Sequence, residues 1–148
     1  MEKMTIGKLG EIAVREYLVQ QGCFVVQCNY HAAGGHHEEI DIIACDGKHL
    51  IFTEVKSRKE GAMVAAQLAL TPQKRRRVLL CAQRFLMNHT SFACYQPRFD
   101  GVRDLSRSAG GGTGVLSKCL FFVRYRFVRR LIEYTQTMLK GMKDYETV

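Results

Sequence analysis

Glu39-Ile40-Asp41-Ile42-Ile43-Ala44-Cys45-Asp46-Gly47-Lys48-His49-Leu50-Ile51-Phe52-Thr53-Glu54-Val55-Lys56 is the stretch on which the fold of this chain turns. Two β-rich runs, Ile40 to Cys45 and His49 to Lys56, flank Asp46-Gly47, a strong signal for a two-residue hairpin loop. With Asp46 and Gly47 as the loop, Cys45 pairs with Lys48, Asp41 lies opposite Phe52 and Glu54 lies opposite Glu39. Cross-strand partners share a face, as do alternate residues along a strand. Asp41, Glu54 and Lys56 are therefore expected on one side, with Asp41 and Glu54 diagonal neighbours roughly 7–8 Å apart. Ile40, Ile42, Ile51 and Val55 form the other, apolar face.

Two carboxylates so placed can converge on one ion. Mg²⁺ needs only one or two of them, completed by waters and substrate phosphates. Such an ion polarises a phosphoryl oxygen and acidifies a bound water, and Lys56 adds a point charge near the scissile phosphate. The same residues read equally well as solvated charges on a half-exposed hairpin, a common antiparallel arrangement. Spacing alone leaves both readings open.

Outward from the hairpin, residues from Ile6 to Gln21 read as a helix with Leu9, Ile12, Ala13 and Tyr17 at 3–4 spacing, stopped by Gly22. Phe24-Val25-Val26 is a short strand candidate, and His31 to His37 is loop-like. A second helix starts at Thr71-Pro72, with Thr as N-cap and Pro at the first position, and runs to Asn88 over Val78, Ala82, Phe85 and Leu86. Phe92 to Val102 reads as a strand, with Pro97 hinting at an edge or bulge. The expectation is a mixed α/β (α+β) fold in the order helix, strands, helix, strand, then a C-terminal helix. Its parts are a domain over 1–106, a Gly-rich linker or loop over 107–115 and a helical appendage over 116–148, basic on one side and apolar on the other.

The length, 148 residues, suits one domain, and 47% apolar with 24% charged residues excludes a disordered or collagen-like chain. Lys and Arg number 22 against 14 Asp and Glu, a net +8, which favours a polyanionic partner. Residues 1–102 hold 13 basic and 10 acidic side chains, and residues 103–148 hold 9 and 4. No apolar run is long enough to span a bilayer and no secretory core segment opens the chain, so a cytoplasmic protein is expected. The six scattered cysteines suit reduced thiols. Cys23, Cys28, His31, His36 and His37 match no regular zinc spacing.

Gly7-Lys-Leu-Gly10-Glu11, Asn29, Glu39-Ile-Asp41-Ile-Ile, Phe52-Thr-Glu54-Val-Lys56-Ser-Arg58 and Arg98-Phe-Asp100 together resemble the YraN-like family of uncharacterised bacterial proteins. That family is itself similar to the PD-(D/E)XK nuclease superfamily, particularly the archaeal Holliday-junction resolvases. The resemblance covers residues 6–102 and implies a restriction endonuclease-like core. It implies Asp41 as first acid, Glu54-Val-Lys56 as the E-x-K element and Glu11 as the helical acid. Asp41, Glu54 and Lys56 would then be catalytic, with Glu11, Asp41 and Glu54 holding Mg²⁺ or Mn²⁺. The chain departs from the family where Glu38 replaces the usual Gly before E-I-D, and again after Asp100.

Lys74-Arg75-Arg76-Arg77 lies in the first turn of the second helix, where cations oppose the helix dipole. A run placed against a local preference suits phosphate binding, and Arg58 is a candidate contact on similar terms. Arg98 and Asp100 alternate on a strand and are candidates to pair. The sequence thus supports a metal-dependent endonuclease acting on structured or damaged DNA, with DNA as partner and a homodimer as a candidate assembly. The alternatives are a non-catalytic nucleic-acid-binding module with a nuclease fold, or an adaptor docking to a membrane or partner through the C-terminal helix.

Overall fold

Threonines open α-helices at two places in the protein, whose computed structural model describes residues 5–33, 39–57, 71–104, 116–117 and 137. Thr5 Oγ1 accepts the Lys8 N–H at 3.3 Å and opens α1 (Ile6–Gln20); Thr71 Oγ1 accepts the Lys74 N–H at 3.2 Å and opens α2 (Pro72–Asn88). Each satisfies one of the orphan donors of a helix start, a contribution of about 1 kcal/mol. At the far end of α1, Gly22 takes φ +81°, and the N–H groups of Gly22 and Cys23 bond back to Val19 and Leu18. This paired closure needs a left-handed residue, and glycine supplies it without a Cβ clash.

The strands are β1 (Phe24–His31), β2 (Glu39–Cys45), β3 (His49–Ser57), β4 (Gln96–Asp104) and β5 (Leu116–Ser117), with a 3₁₀ turn over Thr90–Phe92. They form one sheet in the order β1-β2-β3-β4-β5. The β3–β4 pair is parallel and the others antiparallel, so α2 is the crossover that a parallel neighbour demands. The helix–strands–helix–strand order expected of a restriction endonuclease-like core is the one the chain adopts.

Both faces of the sheet are covered. Against one, α2 packs Val78, Leu79, Cys81, Ala82, Phe85 and Leu86 onto Tyr30, Ile40, Ile43, Leu50, Phe52 and Phe99. Phe85 meets Tyr30 edge-on at 5.1 Å, and Phe52 stacks on Phe99 at 5.2 Å. Against the other face, Val14 and Leu18 of α1 pack on Ile42, Ala44 and Val102. The hairpin is thus buried on two sides, as a parallel central strand requires, rather than half-exposed.

Several sequence expectations are corrected. The α1 stripe is rotated by one residue: Gly10, Val14 and Leu18 are buried, while Leu9, Ile12, Ala13 and Tyr17 are only half-buried. β1 runs five residues past Val26, because an edge strand needs no alternation to hold its backbone pairing. β4 begins at Gln96, since Thr90–Phe92 coil into the 3₁₀ turn. The hairpin loop is Gly47-Lys48, closed by Asp46 and His49, so that Ile42 pairs with Thr53 and Cys45 with Leu50. Asp46 prefers the position before the loop because its Oδ1 accepts the N–H groups of Lys48 at 3.0 Å and His49 at 2.7 Å. Gly47 then takes the first loop position at φ +87°, which an L side chain resists.

Ile42 stays with Val55 on the α1 side, as expected, but Ile40, expected on that same face, packs with Ile43 and Phe52 against α2. Leu116–Ser117, placed by the sequence reading at the start of the appendage, instead lengthen the sheet beside Arg103 and Asp104. Arg58, the His36-His37 loop, the Gly-rich segment and, apart from those two residues and Thr137, the C-terminal helix lie outside the described residues. Among the described residues, no helix is long and apolar enough to cross a membrane.

Candidate functional site

The corrected register gathers the polar residues at one end of the sheet. Backbone pairing of β2 with β3 stops at Ile42–Thr53, and the next row would set Asp41 directly across from Glu54. There the Asp41 side chain replaces the backbone in the ladder: its Oδ2 accepts the Val55 N–H at 2.6 Å. On its other side, the β1–β2 register continues through Cys28–Ile42 and Tyr30–Ile40, which brings Asn29 beside Asp41. Asn29, Asp41 and Glu54 therefore form one row across three strands.

Glu54 is 6% exposed, which removes the solvated-face reading for this residue. Its Oε1 receives Lys56 Nζ at 3.1 Å and Lys74 Nζ at 2.8 Å, whereas its Oε2 is buried without a hydrogen-bond partner. Lys56 comes from the same strand two residues on; Lys74 comes from the first turn of α2. Glu11, on the second turn of α1, is joined to Asn29 Nδ2 at 3.2 Å and to Lys8 Nζ at 3.7 Å. A cavity of about 50 Å³ lies between α1 and the strands, lined by Lys8, Glu11, Asn29 and Asp41 among others.

Electrostatics at this end are unusual for an acid. Burial pushes the Asp41 carboxyl up to about 6, the Glu54 carboxylate adds to the rise, and Glu11 and Glu39 contribute further. The Val55 N–H pulls the other way without prevailing. Four acids share a confined region in which one of them holds a proton more tightly than an ordinary aspartate does.

Among the described residues, no three His, Cys, Asp or Glu side chains are gathered as a metal-ligating group. Glu11 and Glu39 lean instead on Asn29, and Glu54 on two lysines. The donor set nevertheless fits Mg²⁺ or Mn²⁺, which ask for one or two carboxylates and take the remaining ligands from water and phosphate. Glu54 Oε2 is a buried acceptor without a hydrogen-bond partner, the Glu54 carboxylate is near enough to raise the Asp41 carboxyl, and Glu11 stands at the margin.

The structure thus brings Glu11, Asp41, Glu54, Lys56 and Lys74 to one place. Arg75, Arg76 and Arg77 are exposed on the first two turns of α2. Asn29 is the residue that sequence reasoning did not assign to the site. Its φ of +49° lies in the left-handed region, which Asn tolerates better than most residues. Its Nδ2 reaches Glu11 and, at 3.5 Å, Glu39, while its Oδ1 accepts from Lys8 Nζ at 3.3 Å. No short turn joins β1 to β2, so spacing does not place Asn29 beside Asp41; the signal was its place among the family motifs. Asn29→Gly keeps the backbone but loses the tethers, and Asn29→Ala loses both. Urea denaturation should place the Ala variant about 1 kcal/mol below the Gly variant; the reverse order would show that φ is not constrained there.

The family model described as uncharacterised protein family UPF0102 matches residues 10–103, from α1 to the end of β4. The chain belongs to this family. It is the YraN-like family that the motifs resemble. A UPF0102 protein of Saccharophagus degradans is 38% identical over 96 residues, covering 65% of this chain and 79% of that relative. One from Methylobacillus flagellatus is 32% identical over 106 residues, covering 72% and 88%. The UPF0102 match includes Glu11, Asn29, Asp41, Glu54, Lys56 and Lys74 and stops before the more basic C-terminal part.

Proposed function

We propose that this UPF0102 chain is a metal-dependent endonuclease-like protein that hydrolyses phosphodiester bonds in structured or damaged DNA. The observation that carries the reading is Glu54, an acid 6% exposed with one oxygen between two lysines and the other bare. A buried acceptor without a partner costs about 1–3 kcal/mol, and a cation held with Asp41 would offset it. Mg²⁺ or Mn²⁺, when bound by Asp41 and Glu54 with Glu11 beside them, would polarise a phosphoryl oxygen and acidify a water.

The rest is work for the chain's own side chains. Lys56, 44% exposed and anchored on Glu54, can meet a phosphate oxygen without leaving the site. Arg75, Arg76 and Arg77 stand against the dipole of α2, an arrangement that DNA phosphates would neutralise. Likeness to the PD-(D/E)XK nucleases, in which the same residue types occupy the same motif order, supports the choice of DNA.

The test is cleavage of four-way junctions, flaps and single strands with Mg²⁺ or Mn²⁺. Wild type should cut in a metal-dependent way, and Glu54→Gln should fall to background. No metal-dependent cut, or a cut that survives in Glu54→Gln, overturns the reading. Salt-sensitive DNA binding without cleavage, unchanged by alanine at Asp41 or Glu54, would mark a binding module instead.

A further inference from the structure

Resting on that metal reading, we propose that Lys74 is a built-in stand-in for the ion: its ammonium neutralises Glu54 while the site is metal-free and passes to a DNA phosphate once a divalent cation takes its place. Lys74 Nζ lies 2.8 Å from Glu54 Oε1, closer than Lys56 at 3.1 Å. The two lysines differ in origin. Lys56 meets Glu54 because alternate residues of a strand share a face. Lys74 meets it only because α2 begins beside the end of β3, held there by the Thr71 cap on its own N–H.

The charge balance around Glu54 favours exchange. Two ammoniums crowd one oxygen of a single carboxylate while the other oxygen has no partner. A divalent ion adds to this cluster at a severe Coulombic cost unless a cation leaves. Lys74 is the one suited to leave. Lys56 is the more exposed, at 44% against 34%, but Lys74 stands on a separate element from Glu54 and opens a run of three exposed arginines, where a released ammonium meets phosphates. A released Lys74 joins the cations that face the phosphates.

Mn²⁺ titration of the full chain without DNA, by calorimetry and by the Mn²⁺ resonance signal, tests this. Lys74→Met should bind Mn²⁺ three- to tenfold more tightly than wild type, because nothing competes for Glu54. The gain should persist in 0.5 M KCl, where charge effects through solvent are screened. Lys74→Arg keeps a cation at the position and should bind no more tightly than wild type. Equal Mn²⁺ affinity in wild type, Lys74→Met and a second variant, Lys74→Gln, overturns the role of Lys74 and leaves the metal reading standing. No Mn²⁺ binding by wild type or either variant overturns both.

Discussion

Asp41→Asn should be more stable than wild type at pH 7 in metal-free buffer, and should lose metal-dependent cleavage. Burial first, then the Glu54 carboxylate, hold the native Asp41 carboxyl at about 6, while an unfolded chain carries it near the ordinary value of ~3.9. The native state therefore binds the proton more tightly. Stability contributed by this group is present below about pH 4, declines as pH rises to about 6, and the penalty stays in full above that. Its size is about 1–3 kcal/mol. Asparagine has no charge to desolvate and keeps an oxygen for the Val55 N–H.

Urea denaturation of both proteins from pH 4 to pH 8 checks this. The gap between variant and wild type should open across that window, and Mn²⁺ should narrow it by stabilising wild type alone. A gap that does not vary with pH would show that Asp41 is not strained by charge. A gap that opens with pH would mark a site in which activity is maintained at the expense of stability, an expected place for a local rule to be broken.

Arg98→Met should destabilise the fold by about 3–5 kcal/mol, the usual consequence of leaving a buried charge unpaired. Asp100 is 2% exposed, and Arg98 grips it with two parallel bonds, Nε to Oδ1 at 3.1 Å and Nη2 to Oδ2 at 3.0 Å. The third nitrogen, Nη1, reaches Asp46 Oδ2 at 3.2 Å. Burial would raise the Asp46 carboxyl, but the His49 backbone and ring and the Lys48 N–H prevail and hold it at about 2. Arg98 thus ties β4 to the turn between β2 and β3. The double variant Arg98→Met/Asp100→Leu should recover most of the loss, since no charge is then buried. Chemical denaturation of wild type, single and double variants measures both effects. A loss below about 1 kcal/mol in the single variant would put this ion pair among the weak surface class.

The pairing of Arg98 with Asp100 was legible because alternation on a strand sets two side chains on one face. The Thr71-Pro72 start of α2 and its buried Val78, Ala82, Phe85 and Leu86 were legible for a similar reason, since capping and helical period are local. Less local features were misread. The loop slid by one position because the Asp46 side chain prefers to cap the turn, a competition between two adjacent turn-forming residues. The extent of β1 escaped notice because Gln27 and Cys28 hold their strand through backbone pairing with β2.

By itself the sequence determined the hairpin, the helices α1 and α2 and the identity of Glu11, Asp41, Glu54 and Lys56 as candidate site residues. Period and motif order carry that much. Only the tertiary structure decided that Glu54 is buried, that Asp41 sits across from it where β2 and β3 part, and that Asn29 and Lys74 belong with them. Those facts depend on which elements meet at one end of the sheet. Strand pairing and the docking of α1 and α2 decide that, and both join residues far apart in the chain.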